Sequence, residues 1–233
     1  DGASADTLRG LNLAIPFGQK VAVLGRSGAG KSTLAGLIRG DLVPQEGVAT
    51  LGGVPCSELG DDMARYLGVI QQRTYLFNTT LLENLRIGRP DATEDEVREA
   101  LVRVGLGDLL DRLPQGLDTL VDEAGMRFSG GERHRIALAR VLLQGAPIVL
   151  LDEPFAALDP ITERGLLDTL LDVFADRTLI LITHHLQGVS RMDRVVFVSD
   201  GAVSLDGAPA DLERDSEHYR RLLALDRGTP RTT

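Results

Sequence analysis

The sequence predicts an α/β fold: a mostly parallel sheet core, an inserted helical subdomain and an N-terminal antiparallel β portion. Three observations predict it. Short apolar runs alternate with helical patterns along the chain. Those runs are continuous rather than alternating in apolar character, as in strands covered on both faces. Between about residues 73 and 145 the texture turns helical, which divides the chain into a core of about 1–72 and 146–233 and a helical lobe between. The 233 residues suffice for one sizeable core with such a lobe attached, a single domain over 1–233.

Taken in order, "KVAVLG" (20–25) reads as a buried strand, and "STLAGLIRG" places Leu34, Leu37 and Ile38 at helical spacing, so a helix starts at Lys31. "VATLGGVPC" (48–56) reads as a hairpin turning on Gly-Gly. The helical lobe carries "TLLENLRIG", "TEDEVREALVRVGL" and "GGERHRIALARVLL"; in the second, Thr93 is the expected N-cap and Glu96 completes a capping box. "PIVLLD" (147–152), "TLILIT" (178–183) and "RVVFVS" (194–199) read as further buried strands. The tail "DSEHYRRLLALDRGTP" reads as an amphipathic helix with a frayed end. There is no internal repeat, low-complexity segment or flexible linker.

Composition narrows the function. The apolar fraction of 43% and charged fraction of 25% are those of a globular protein, and the formal net charge of -9 argues against wrapping nucleic acid in Lys and Arg. A phosphate site here must be local. The single cysteine, Cys56 in "GGVPCSEL", cannot form an internal disulfide and fits a reducing compartment as an inert thiol. No apolar run reaches the roughly 18 residues of a membrane span, and no signal peptide is visible, so the domain is expected to be soluble by itself.

The strongest chemical signal is "GRSGAGKST" (25–33). Gly25, Arg26, Ser27, Gly28, Ala29, Gly30, Lys31 and Ser32 match G-x-x-x-x-G-K-[ST], followed by Thr33. Backbone N–H groups converge on an anion only where side chains leave room, so glycines lie where phosphate approaches. The helix that follows points its positive end to the same place. Lys31 adds a full charge against the β- and γ-phosphates, and the Ser32 hydroxyl can ligate Mg²⁺. A second signal is "IVLLDEP" (148–154), a buried strand ending in two carboxylates. Asp152 would hold Mg²⁺, directly or through water, and Glu153 could polarise a water for in-line attack on the γ-phosphate. A third is "FSGGERHRIALAR" (128–140), where Ser129 and two glycines open an amphipathic helix. Alone, that is better explained as a structural N-cap.

The order P-loop, SGG-helix, "LLDEP", "ALD", "ITHH" resembles the nucleotide-binding domain of ABC transporters over almost the whole chain. The resemblance implies a RecA-like P-loop NTPase core, with ATP and Mg²⁺ as ligands. Residues 25–33 then resemble Walker A, Asp152 and Glu153 resemble Walker B and the catalytic carboxylate, and Asp159 resembles the D-loop aspartate. Gln72, five residues before Phe77 in "QQRTYLF", resembles the Q-loop glutamine that senses Mg²⁺, with Gln71 as the neighbouring alternative. Ser129, Gly130, Gly131 and Glu132 resemble the signature that contacts the ATP of a partner domain. His184 resembles the switch histidine that positions the attacking water, and His185 falls outside that pattern as a structural residue. The resemblance further implies a second nucleotide-binding domain closing head to tail, as a homo- or heterodimer, and a transmembrane domain of the same polypeptide at the cytoplasmic face of the cell membrane.

"QQRTYLFNTTLLENLRIG" resembles the exporter form of the stretch after the Q-loop, and "TLVDEAGMRFSGG" matches the exporter pattern at Thr119, Val121, Glu123 and Gly125. Glu123 is expected to touch the coupling helices; Asp122 departs from the usual glycine. Glu132 stands where the signature usually has glutamine, and Phe128 where it has leucine. These features, with "HHLQGVSRMDRVVFV", resemble the CydC half of the heterodimeric transporter of cytochrome bd assembly, a family linked to thiol compounds and heme. A lipid or drug exporter half is the main competitor. The family's adenine-stacking aromatic lies upstream of the strand read as "LNLAI" (11–15), and no aromatic precedes Phe17. The chain is therefore expected to be cut from a longer polypeptide, and Phe17 to be a turn residue packed on the core. A soluble ABC ATPase of DNA repair is disfavoured because the stretch between Lys31 and Ser129 has room only for the helical lobe. Arg133, His134, Arg135 and Arg140 are read as a solvated or domain-facing helix side, not a nucleic-acid contact.

Overall fold

The computed structural model describes residues 7–72, 74–121, 127–155, 158–186 and 188–228. In chain order its strands are β1 (Lys20–Leu24), β2 (Thr50–Leu51), β3 (Val54–Pro55), β4 (Leu67–Gln71), β5 (Ile148–Asp152), β6 (Thr178–Thr183), β7 (Arg194–Ser199) and β8 (Ala202–Gly207). Its helices are α1 (Lys31–Ile38), α2 (Met63–Tyr66), α3 (Leu81–Arg86), α4 (Glu94–Arg103), α5 (Gly107–Arg112), α6 (Gly130–Gln144), α7 (Pro160–Val173), α8 (Pro209–Asp215) and α9 (Glu217–Gly228). The four apolar runs read as strands are β1, β5, β6 and β7, and the helix expected at Lys31 begins there.

The chain divides into two compact units, Asp1–Gly60 with Thr178–Thr233, and Asp61–Arg177. In the first, β1 lies between β6 and β7, parallel to both, and β8 runs antiparallel to β7. All six positions of β6 are buried, as are Val21 to Leu24 of β1, so neither strand shows a polar face. The β2–β3 hairpin turns at Gly52 and Gly53, both with positive φ (57° and 86°), a pair of left-handed residues that a two-residue hairpin loop needs. Cys56, just beyond, is buried, and burial pushes its thiol pKa up against a smaller lowering by a backbone hydrogen bond. This fits the inert thiol expected from sequence.

Two expectations near the N-terminus are corrected. "LNLAI" is not a strand: residues 11–15 are assigned no ladder, and the Ala14 carbonyl instead accepts from the Arg194 guanidinium at 2.7 Å. Phe17 does sit in a turn, closed by Gln19 N–H to the Pro16 carbonyl at 3.2 Å, but the apex projects the ring into solvent and leaves it 74% exposed.

In the second unit β4 and β5 pair in parallel, and α6 packs on α3, α4, α7 and β4. Packing thus groups β4, β5 and α7 with the helices of the expected 73–145 lobe. Gly68 shows why: a Cβ there would lie 2.5 Å from Val141 of α6, so the glycine lets helix and strand approach. The expected capping box is present, with Thr93 Oγ1 accepting from Glu96 N–H at 3.3 Å and Glu96 accepting from Thr93 N–H at 2.8 Å.

The basic run on α6 is not a solvated face. Arg135 donates to the Val104 carbonyl (2.7 Å) and Thr169 (3.0 Å), and Arg133 donates to the Phe128 carbonyl (3.1 Å). His134 is buried, and its Nδ1 lies 2.9 Å from the Gly130 carbonyl. Arg140 donates to the carbonyls of Asn84 and Tyr75 at 2.7 and 2.6 Å, and burial lowers its pKa to about 10. Asn84, fully buried, bonds both Phe77 N–H (2.8 Å) and the Phe77 carbonyl (2.9 Å). Asn84→Ala strands those groups and is expected to lower the unfolding free energy by about 1–3 kcal/mol. Urea denaturation checks this, and an unchanged midpoint would refute it.

Candidate functional site

In the first unit the site begins where β1 ends. The P-loop glycines are glycines for distinct reasons. A Cβ on Gly25 would lie 2.5 Å from the Val198 carbonyl oxygen of β7. Gly28 and Gly30 have φ of 82° and 100°, which side chains disfavour. Gly30 is also the N-cap of α1, which has no side-chain capping bond and no acidic residue in its first turn. Its leading N–H groups are therefore left to an anion. Lys31 is buried, its Nζ donating to the Gly25 carbonyl at 2.8 Å and to that of Arg26 at 3.3 Å, so the ammonium lies inside the loop's curve. Arg26, Ser27, Gly28 and Ser32 are exposed, Thr33 is half-buried and Ala29 is buried.

The register of β1 against β6 puts Leu24 opposite Thr183. One residue further along each strand stand Gly25 and His184, so the histidine leaves the sheet beside the start of the P-loop. His184 is exposed and its ring lies 4.1 Å from that of His185, which is half-buried with its N–H on Thr183 Oγ1 at 3.1 Å.

The second unit carries two clusters. At one, β4 and β5 set Gln71 opposite Asp152. The next residues are Gln72, which is exposed, and Glu153, which is half-buried. The strand ends thus bring the Q-loop and Walker B candidates together. Glu153 has φ of 50°, a left-handed backbone that costs a non-glycine residue energy and turns the chain out of the strand path. No pattern in the sequence signals that strain.

At the other cluster, α6 and α7 begin side by side. Ser129 caps α6 in a capping box: its hydroxyl accepts from Glu132 N–H at 3.2 Å, and Glu132 Oε2 accepts from Ser129 N–H at 2.8 Å. Asp159 caps α7, accepting from Ile161 N–H and Thr162 N–H at 3.1 Å each. Hydrogen bonds from Thr162 hold the Asp159 carboxyl below its ordinary pKa. Between the two starts lies an open hollow of about 570 Å³, lined in part by Ser129 to Glu132, Arg112 and Asp159. A Cβ on Gly131 would lie 3.2 Å from Thr162 Cγ2, whereas one on Gly130 meets only Leu158 at 3.7 Å. Gly130 also lacks a positive φ, so the fold itself does not demand a glycine there, and the room it leaves faces the hollow.

The exporter-like stretches also meet: Val121 N–H donates to the Thr79 carbonyl (2.8 Å) and Leu81 N–H to that of Thr119 (2.9 Å). Around them Tyr75, Phe77 and Leu120 are exposed. Asp122, Glu123 and Gly125 lie outside the described residues.

The donors fit a magnesium nucleotide. Among the described residues no group of three or more His, Cys, Asp or Glu side chains is arranged to hold a metal alone. Mg²⁺ suits such a site, because it keeps waters and takes phosphate oxygens with one or two protein oxygens. Ser32 in the first unit, and Gln72 and Asp152 at the paired strand ends of the second, each carry a hard oxygen of that kind.

A family profile described as ABC transporter matches residues 8–156. The chain is 46% identical over 223 residues to the glutathione/L-cysteine transport system ATP-binding/permease protein CydD of Bacillus subtilis (strain 168), covering 96% of this chain and 39% of that protein. It is 37% identical over 219 residues to CydC of the same description from Escherichia coli (strain K12), covering 93% of this chain and 38% of that one. A bacterial Atm1-family ABC exporter solved with ATP bound superposes with a TM-score of 0.88 at 35% identity, over 98% of this chain and 41% of that one. The chain thus spans about two fifths of the length of these relatives. It belongs to the ABC transporter family and is an ATP-binding ATPase domain of the exporter type.

Proposed function

We propose that this domain binds MgATP at residues 25–33 and hydrolyses it with Glu153 as general base. The observation that carries this reading is the P-loop: glycines placed by sterics and backbone, an α1 start with no side-chain cap, and the Lys31 ammonium inside the curve. Lys31 and the α1 N–H groups hold the β- and γ-phosphates. Ser32, Gln72 and Asp152 would hold Mg²⁺, which would supply positive charge against the phosphates. Glu153 takes a proton from the attacking water, and His184 orients that water against the γ-phosphate.

Ser129, Gly130, Gly131 and Glu132, with Asp159, serve the nucleotide of a second such domain, received in the hollow between the starts of α6 and α7. The exposed Tyr75, Phe77 and Leu120, beside the exporter-like stretches, suit docking of a transmembrane domain from the same polypeptide. The names of the CydC and CydD relatives support thiol compounds such as glutathione or cysteine as the transported substrate; the proposed exporter half would move them from the cytoplasmic side as part of a heterodimer. Inverted vesicles containing the full-length protein should take up radiolabelled glutathione or cysteine with ATP. Uptake of neither, with ATP hydrolysis intact, would refute the thiol assignment. Chelating Mg²⁺ should reduce phosphate release to background; release that persists in excess EDTA would refute the metal's role.

A further inference from the structure

The hollow at the start of α6 holds a charge that the signature resemblance does not account for. Glu132 puts a carboxylate where an anion would be received, and both its oxygens are engaged. Oε2 accepts from Ser129 N–H at 2.8 Å, and Oε1 accepts from the Arg112 guanidinium at 2.7 Å. Burial alone would raise the Glu132 pKa, but the Arg112 and Ser129 hydrogen bonds outweigh it, so the group stays ionised. Arg112 is the last residue of α5 and lines the same hollow. Its side chain is 63% exposed while that of Glu132 is only 18% exposed, so the guanidinium is the member of the pair that can turn toward an incoming group.

We infer that Arg112 and Glu132 form a charge gate on the signature hollow, which sets how readily it receives the triphosphate held by a second domain. The inference rests on the assignment of Ser129 to Gly131 to that triphosphate. With the hollow empty, the carboxylate occupies the positive end of α6 and engages Arg112. An arriving phosphate meets a like charge at Glu132 and competes for Arg112. Arg112 therefore serves two ends: it cancels the repulsion of Glu132 and supplies a donor to the phosphate. A glutamine at 132 would keep the capping geometry through its side-chain oxygen while removing the repulsion. A pair that merely pinned α5 to α6 would affect stability and leave nucleotide dependence alone.

A double-mutant cycle in the assembled full-length protein separates these readings, with the KM for MgATP and the melting temperature measured for wild type, Glu132→Gln, Arg112→Ala and the double variant. Glu132→Gln should lower KM about threefold or more. Arg112→Ala should raise it about tenfold with Glu132 present and only about twofold with glutamine there, because the uncompensated charge is gone. An unchanged or raised KM in Glu132→Gln, or an Arg112→Ala effect equal in both backgrounds, overturns the gate. Ser129→Arg is the companion control. If it abolishes hydrolysis while the cycle shows no coupling, the gate alone fails. If it leaves hydrolysis intact, the signature assignment fails and the gate with it.

Discussion

Glu153→Gln should cut the ATP turnover number by about 10²–10⁴-fold, the usual contribution of a positioned general base, while nucleotide binding stays as tight as in the unaltered protein. Glutamine has nearly the shape of glutamate and keeps one oxygen, so the phosphate cradle and the strand ends carrying Gln71 and Asp152 need not move. What disappears is the group that accepts a proton from the attacking water. The left-handed backbone at Glu153 matters here: φ of 50° costs glutamine about what it costs glutamate, so the comparison isolates proton transfer from folding. Stopped-assay phosphate release and calorimetric ATP binding on the same preparation give both numbers. Unchanged phosphate release would remove Glu153 from the reaction; lost binding would mean that its carboxylate holds the nucleotide in place.

Much of the fold was legible because burial on both faces leaves a plain mark. "KVAVL", "IVLLD", "TLILIT" and "RVVFVS" have hardly a polar position, and each is a strand with nearly those ends. Where tertiary contact decides, the sequence is silent. β4 contains Gly68, which lowers its strand character, and the reason for that glycine is Val141 on a distant helix. "LNLAI" alternates like a strand but finds a guanidinium where a ladder partner would be. The site divides in the same way. A phosphate loop needs contiguous residues, so 25–33 can be read directly, and so can strand-end carboxylates after an apolar run. The strained backbone at Glu153 and the ion pair from Arg112 to Glu132 depend on segments far apart or on φ, and no spacing rule encodes them.

Lys31→Ala should act on binding where Glu153→Gln acts on turnover. The Lys31 ammonium already sits within the loop, on the carbonyls of Gly25 and Arg26 at 2.8 and 3.3 Å, while the loop's N–H groups and the start of α1 provide partial positive charge only. A full charge donating to phosphate is worth about 1.5–3 kcal/mol, so its loss should weaken ATP affinity about 10- to 100-fold. Adenosine affinity, which involves no phosphate, should not change. Because Lys31 is buried, its removal also leaves carbonyls without that donor, and a melting curve must accompany the titration. A variant that melts normally and still binds ATP tightly would place the lysine away from the phosphates. An equal loss for adenosine and ATP would show that the loop had collapsed, since a charge effect must grow with the number of phosphates.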